Sequence, residues 1–180
     1  MRVFISIEIS DENILKKIQT FQENLEINAK PTRIDKIHFT IKFLGEVGEE
    51  KCEKVKNVLK TITFSSFDLS LKGVGGFPNL NNPRVIWIGT AEGGQKLNEI
   101  SSEIGQKLST LGFKKDKKFK SHLTIFRTKK KIGDISYIIK EHERMEFGTQ
   151  IISKIKLKKS VLSPKGSEYS DLLEVNANEK

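Results

Sequence analysis

Two short segments of the chain repeat one pattern, in which a histidine, an apolar residue, a threonine and a second apolar residue follow one another. The first copy spans residues 38–41 and the second spans residues 122–125. Together they contain two of the three histidines in the sequence. Because chance rarely places two of three histidines in the same four-residue frame, we expect the function to depend on this pair.

Each copy has the composition of a β-strand, in which residues two apart lie on the same face. His38 therefore shares a face with Thr40, and His122 shares a face with Thr124. The apolar residues at 39, 41, 123 and 125 point the other way, into the packing layer. If the two strands lie side by side, two imidazoles and two hydroxyls converge on one cleft.

Such a cleft suits a tetrahedral phosphate group. The hydroxyls can donate to nonbridging oxygens, while the imidazoles lie on either side of phosphorus. In-line displacement needs a base for the incoming nucleophile and an acid for the leaving oxygen. Histidine suits both roles, because its ordinary pKa of about 6.5 leaves both protonation states accessible at neutral pH. This arrangement requires no metal, and we expect no cofactor.

Two cations near the motifs are further candidates. Arg127 follows Thr124 by three residues, which is the opposite parity in an ideal strand, so it reaches the cleft only through a bend or at the strand end. From there its guanidinium could neutralise charge on the phosphate oxygens. Lys42 has the parity of His38 and could assist, but we assign it no role.

Two other interpretations of the histidines compete with catalysis. A single His-x-Thr is usually an ordinary half-exposed sheet position, but its repetition in both halves of the chain favours function. A metal site would combine the two histidines with an acid such as Asp35. Asp35 has the opposite parity to His38, and no familiar ligand spacing is present, so this interpretation is disfavoured.

The hydrophobic periodicity predicts elements that could position the motifs. Strands are predicted at 3–9, 37–44, 67–74, 84–89, 121–127, 145–152 and 155–162, with a possible last strand at 169–175, and helices at 14–25, 49–62, 96–111 and 132–141. Each half of this order contains one motif strand. We therefore expect an α+β fold with two pseudo-symmetric lobes, each with an antiparallel sheet and outer helices, around a central cleft. Residues 1–180 should form one domain.

The chain is basic, with a formal net charge of +9, which favours an anionic partner such as RNA, a phosphate ester or an acidic lipid. A lysine-biased proteome would explain the charge equally well. Lysines also precede and follow the second motif, where they would attract an RNA end or simply solvate a loop. These lysines are Lys114, Lys115, Lys117, Lys118, Lys120, Lys129, Lys130 and Lys131. Phe4, Phe43 and Tyr169 could stack on a nucleobase, but we expect each to be core.

Several features favour the cytoplasm. Cys52 is the only cysteine, so there is no intrachain disulfide, which fits a reducing compartment. Its neighbours suggest that Cys52 lies on an exposed helix face. Residues 1–9 are too short and too soon polar for a signal peptide. No apolar run approaches the roughly 20 residues that a membrane-spanning helix needs, so no membrane partner is expected.

With the paired motif in place, the chain resembles the two-histidine phosphoesterase superfamily. It is most similar to the RNA 2′,3′-cyclic phosphodiesterase branch, historically called 2′-5′ RNA ligases. The resemblance covers nearly the whole chain and is carried by residues 2–7, 38–47, 84–89, 122–127 and 160–169. Ser121 departs from the family, which commonly has proline before the second histidine. This change could loosen the start of the second motif strand.

The resemblance implies a bilobal fold and metal-independent opening of a 2′,3′-cyclic phosphate to leave a 2′-phosphate. By position, His38 is similar to the general acid that protonates the 3′ oxygen, and His122 to the base that activates water. Thr40, Thr124 and Arg127 would hold the phosphate. The acid and base assignments could be exchanged.

Two alternatives use the same cleft. Reversal of the chemistry with a 5′-hydroxyl in place of water would make the protein a 2′-5′ RNA ligase. A non-catalytic protein could instead bind RNA ends, although binding alone has no need of two titrating histidines. In each case the expected partner is RNA with 2′,3′-cyclic phosphate ends, such as tRNA fragments, and we expect a monomer.

Overall fold

The computed structural model describes residues 1–115 and 118–179. The strands are β1 (Arg2–Glu8), β2 (Lys30–Pro31), β3 (His38–Glu46), β4 (Phe67–Phe77), β5 (Val85–Thr90), β6 (Leu123–Arg127), β7 (Glu146–Ile152), β8 (Lys154–Ser163) and β9 (Gly166–Asn176). The helices are α1 (Glu12–Asn24), α2 (Glu49–Leu59), α3 (Gly94–Ser109) and α4 (Ser136–Glu141), with a 3₁₀ turn at Ile34–Lys36. Among these described helices, none has the length and apolarity to cross a membrane.

The two motif strands lie side by side in the middle of an antiparallel sheet. The strand order is β7-β4-β5-β6-β3-β1-β8-β9, and β2 pairs with β6. The motif strands β3 and β6 meet through one residue pair, Phe39 with Leu123. Three further strands of the main order continue the sheet on each side of this joint. The predicted α+β fold, with two antiparallel lobes that each contain one motif strand, is confirmed.

The lobes are not successive halves of the chain. The β6 lobe contains β4, β5, β6 and β7, and the β3 lobe contains β1, β3, β8 and β9. Helix α1 contacts β6 and β7, whereas α3 contacts β3 and β4. Each of these helices therefore reaches the motif strand that does not directly follow it in the chain. The prediction that residues 1–180 form one domain stays a prediction.

The helices form where the apolar spacing places them. Asp11 caps α1, because its Oδ1 accepts a hydrogen bond of 2.9 Å from the amide of Ile14. Helix α2 buries Cys52, Val55 and Leu59 on one face. Cys52 is only 2% exposed, so the prediction that it lies on an exposed face is wrong. Its charged sequence neighbours lie on the other faces of the same helix turn, and the thiol packs as a small apolar group.

Strand β4 is longer than predicted. The sequence predicts a strand that ends at residue 74, but β4 continues to Phe77. Gly75 pairs with Trp87 of β5, and a Cβ atom at Gly75 would overlap the Trp87 ring. The glycine leaves room for the indole within the strand and does not terminate it.

Candidate active site

An extra residue interrupts the pairing of the first motif strand. In the β1–β3 ladder Ser6 pairs with Thr40, whereas Ile5 pairs with Lys42. Ile41 is the residue skipped in this register. After a bulge of this kind the alternation of side chains is shifted by one residue, so each later residue lies on the face opposite to the one that simple alternation predicts.

The second motif strand has a bulge at the equivalent position. In the β5–β6 ladder Trp87 pairs with Thr124 and Ile86 pairs with Phe126, so Ile125 is skipped. Both bulges therefore come directly after the motif threonine. Consecutive residues Ile125 and Phe126 are both buried as a result.

The β6 bulge places Arg127 on the face of the second motif. Thr124 and Arg127 pair with Trp87 and Val85, which are two residues apart on β5 and share a face. The opposite parity noted in the sequence is thus cancelled by the bulge. This is the bend on which the prediction for Arg127 depended.

The β3 bulge has the same effect on Phe43 and changes the parity of Lys42. Thr40 and Phe43 pair with Ser6 and Phe4, again two residues apart. Phe43 is 69% exposed, so the expectation that it belongs to the core is wrong. Lys42 is instead buried, and its Nζ donates to the carbonyl of Lys114 at 2.8 Å.

The predicted site residues surround one cleft of about 460 Å³. Its lining includes His38, Thr40, His122, Thr124 and Arg127. A second cavity of about 320 Å³ adjoins the cleft on the β3 side and shares His38, Thr40 and Arg127. The structure therefore brings together all five residues that the sequence singled out.

Both histidines are held in the same tautomer by the main chain. His38 Nδ1 lies 2.8 Å from the carbonyl of Lys36, and His122 Nδ1 lies 2.7 Å from the carbonyl of Lys120. A carbonyl oxygen can only accept, so each Nδ1 carries the hydrogen and each neutral ring keeps Nε2 unprotonated. His38 Nε2 is 3.1 Å from Thr40 Oγ1, so the hydroxyl donates to it when the ring is neutral.

The repeat extends two residues further back than the four-residue frame of the motif. Each copy has a lysine two residues before the histidine, namely Lys36 and Lys120, so the repeat is Lys-x-His-x-Thr. In both copies, the main-chain carbonyl that accepts from the histidine Nδ1 belongs to this lysine. The lysine side chains also line the cleft.

Aromatic rings fix the orientation of each imidazole. The His38 ring lies 5.1 Å from the Phe4 ring and 5.6 Å from the Tyr169 ring, between centroids. The His122 ring meets Phe77 edge-on at 5.0 Å. Phe4 is buried, as expected, whereas Tyr169 is half-buried at the cleft and is not core. Phe77 is a cleft residue that sequence reasoning did not identify.

Burial lowers the pKa of both histidines, because desolvation disfavours the charged imidazolium. For His38 the hydrogen bond to the Lys36 carbonyl opposes this shift, while the charge of Lys158 adds to it. For His122 the bond to the Lys120 carbonyl opposes the shift. The positive charge of Arg127 lowers the pKa of both rings.

The start of the second motif strand is tied down despite the missing proline. Ser121 Oγ lies 2.8 Å from Thr90 Oγ1, which links the strand start to the end of β5. This side-chain contact restrains the segment that the sequence suggested would be loose. Asp35, the acid considered for a metal site, is paired with the Arg33 guanidinium at 2.6 Å.

The lysines around the second motif differ in their surroundings. Lys118 and Lys120 line the cleft, and Lys120 Nζ lies 5.0 Å from the Phe77 ring centroid and 5.1 Å from that of Trp87. Lys129, Lys130 and Lys131 are exposed. Lys117 lies outside the described residues. The lysines that line the cleft give it a positive rim, which suits an anionic substrate.

Comparison with known proteins supports the same fold and family. The family model of the AKAP7 2′5′ RNA ligase-like domain matches residues 2–175. The chain belongs to the 2′-5′ RNA ligase-like family. This confirms the resemblance to the two-histidine phosphoesterases.

Relatives of this 2′-5′ RNA ligase-like chain span its full length. The Archaeoglobus fulgidus protein named RNA 2′,3′-cyclic phosphodiesterase is 38% identical over 174 residues, covering 96% of this chain and 98% of that protein. A protein of the same name from Methanocaldococcus jannaschii is 41% identical over 180 residues, covering 97% and 99%. Escherichia coli LigT, in a crystal structure with 3′-AMP, has the same fold, with a TM-score of 0.80 and 21% identity over 99% of this chain and 98% of LigT.

Proposed function

We propose that this protein hydrolyses RNA 2′,3′-cyclic phosphate ends to 2′-phosphomonoesters by acid–base catalysis with its two histidines and without a metal. The observation that carries the proposal is the matched pair of tautomers. His38 and His122 each use Nδ1 to bond a main-chain carbonyl, so in both rings Nε2 is the nitrogen left for proton transfer at the cleft, and His38 Nε2 also contacts Thr40 Oγ1. The names of the full-length relatives support the substrate class.

In the proposed reaction, neutral His122 takes a proton from water through Nε2 as the water oxygen attacks phosphorus. The bond between phosphorus and the 3′ oxygen breaks, and protonated His38 gives its Nε2 proton to that oxygen. The products are a 2′-phosphate and a 3′-hydroxyl, and proton exchange with solvent restores both histidines. This division of roles is known as general acid–base catalysis.

The remaining site residues hold the phosphate. The Arg127 guanidinium would neutralise charge that develops on the nonbridging oxygens. The hydroxyls of Thr40 and Thr124 would donate to the same oxygens. When His38 is protonated its Nε2 no longer accepts from Thr40, so the threonine hydroxyl can donate to the phosphate while Nε2 gives its proton to the 3′ oxygen.

The decisive experiment is product analysis on an oligonucleotide with a 2′,3′-cyclic phosphate end, in the presence of EDTA. We expect a 2′-phosphate product, and strong loss of activity in both His38→Ala and His122→Ala. Full activity in either single variant would contradict the two-histidine mechanism, and dependence on added metal would contradict metal independence. His142→Ala is a matched control, since the third histidine bonds the Ile138 carbonyl away from the cleft.

A substrate with sulfur in place of the 3′ oxygen separates acid from base. A thiolate leaves without protonation, so loss of the general acid should matter little with this substrate. We expect the sulfur substrate to restore activity to His38→Ala and not to His122→Ala. The reverse result would exchange the two assignments.

The same assay distinguishes the two alternatives. With an added 5′-hydroxyl RNA, a 2′-5′ linked product would reveal ligation at this site. Tight binding without turnover would indicate a protein that only recognises RNA ends. A tRNA-fragment substrate, a monomeric state and a cytoplasmic location remain predictions.

A further inference from the structure

The carbonyl of the bulge residue Ile125 is held by two donors. The amide of Thr32 donates to it at 2.8 Å, and Gln22 Nε2 of α1 donates to it at 2.8 Å in a buried environment. The same Nε2 donates to the carbonyl of Thr32 at 3.0 Å. Gln22 is 8% exposed, so its side-chain amide donates to main-chain carbonyls rather than to water.

The β3 bulge has a longer and weaker contact of the same kind. Ser101 of α3 is 7% exposed, and its hydroxyl donates to the carbonyl of Ile41 at 3.5 Å. Thus each bulge carbonyl accepts a bond from a buried polar side chain on a helix. Burying an amide or hydroxyl is unfavourable unless it has a partner, and a bulge carbonyl is a partner of each of these two side chains.

The β6 bulge determines the face on which Arg127 lies. Without the extra residue, Arg127 would have the opposite parity to Thr124 and would leave the cleft. Gln22 itself does not line the cleft. We propose that Gln22 is a positioning residue, which acts by clamping the Ile125 bulge and thereby directing Arg127 at the substrate phosphate; this rests on the phosphate role proposed for Arg127.

A merely structural role for Gln22 makes a different prediction from a positioning role. If Gln22 only stabilises the fold, its replacement lowers activity by the same factor whether or not Arg127 is present. If Gln22 acts through Arg127, its replacement has little further effect once the guanidinium is gone. Residues that act in one unit show this kind of non-additivity.

The test is a double-mutant cycle with Gln22→Met and Arg127→Ala. Methionine keeps the length and helix propensity of glutamine and removes the amide donors. We expect Gln22→Met alone to lower kcat/KM by about 10- to 100-fold, as small misplacements of site groups do. In the Arg127→Ala background the same change should lower it less than about twofold. Equal effects in both backgrounds would overturn the proposal.

Two controls accompany the cycle. Gln19→Met makes the same change at an exposed position of α1 and should leave kcat/KM unaltered. Thermal unfolding of every variant confirms that each is folded at the assay temperature. Should Gln22→Met not fold, Gln22→Leu also removes the amide donors without burying a charge and keeps high helix propensity, and it enters the same cycle with the same expectations.

An activity-independent measurement separates this inference from the proposed function. The NMR signal of Arg127 Nε, labelled with ¹⁵N, should shift in Gln22→Met and not in Gln19→Met. An unshifted signal would overturn the positioning role even if the enzyme is active. If wild-type protein does not open a cyclic phosphate, the proposed function fails, and the signal still decides whether Gln22 positions Arg127.

Discussion

Phe43 and Arg127 occupy the same position in the two motif strands. Each follows its histidine by five residues, lies beyond a one-residue bulge and returns to the face of the motif threonine. One strand thus presents an exposed aromatic ring to the cleft, and the other presents a cation. The repeat is symmetric in backbone and asymmetric in chemistry at this position.

Replacing Arg127 should lower the rate of the proposed reaction. We expect Arg127→Ala to reduce kcat by about 100- to 1,000-fold, the range for loss of one donor to a developing oxyanion. Arg127→Lys should recover only part of this, because an ammonium lacks the planar fork that binds two oxygens. Lys130→Ala, at an exposed position beyond the strand, is the control. Near-normal kcat in Arg127→Ala would remove the guanidinium from the mechanism.

The activity should depend on pH in a bell-shaped manner. The base must be neutral and the acid protonated, so the product of the two populations peaks between the pKa values of His38 and His122. Because burial lowers both pKa values, the maximum of kcat/KM should lie below about pH 6.5, the ordinary histidine pKa. A maximum above about pH 7.5 would contradict this assignment.

Removal of the Arg127 charge tests whether this charge lowers the pKa values that determine the pH dependence of activity. The guanidinium disfavours both imidazolium ions, so Arg127→Ala should raise the pKa of both histidines. The residual activity of this variant should therefore peak at a higher pH than that of the wild type. The comparison uses complete pH profiles of kcat/KM, and a peak at lower pH would show that another group controls the titration.

Phe43 should contribute to substrate binding through its exposed ring. Stacking of a nucleobase on an aromatic side chain is worth about 1–3 kcal/mol. Phe43→Ala is therefore expected to raise KM for a cyclic-phosphate oligonucleotide by about fivefold or more, with kcat changed less. Tyr137→Ala is the matched control, because Tyr137 is 67% exposed but does not line the cleft. An unchanged KM in Phe43→Ala would exclude stacking at this ring.

Two glycines should respond to alanine with opposite signs. In Gly75→Ala the new methyl group overlaps the Trp87 ring, and overpacking of this kind costs about 1–3 kcal/mol of unfolding free energy. In Gly105→Ala, on helix α3, nothing lies within 4 Å of the new group. This variant should gain up to about 1 kcal/mol, because glycine disfavours a helix interior. Denaturant unfolding of both variants measures the difference, and equal shifts would contradict the packing at Trp87.

Local sequence patterns were sufficient to predict the motif strands and the face on which the motif histidines and threonines lie. Alternation correctly placed His38 and Thr40 on one face and Phe39 in the core, because these three residues precede the bulge in a regular strand. Ile41, the bulge residue, is buried as predicted. Helical periodicity likewise located α1. These predictions depend only on geometry between residues a few positions apart.

Features that depend on contacts between distant residues could not be predicted from the sequence. Whether Arg127 and Phe43 reach the cleft is decided by bulges, and a bulge exists only relative to the register of the neighbouring strand. Local charge patterning likewise misplaced Cys52, whose burial depends on what packs against α2. The sequence by itself determined which groups could transfer protons and bind phosphate. The tertiary structure decided which of them face the same cleft, because strand register and helix packing are set by contacts between residues far apart in the chain.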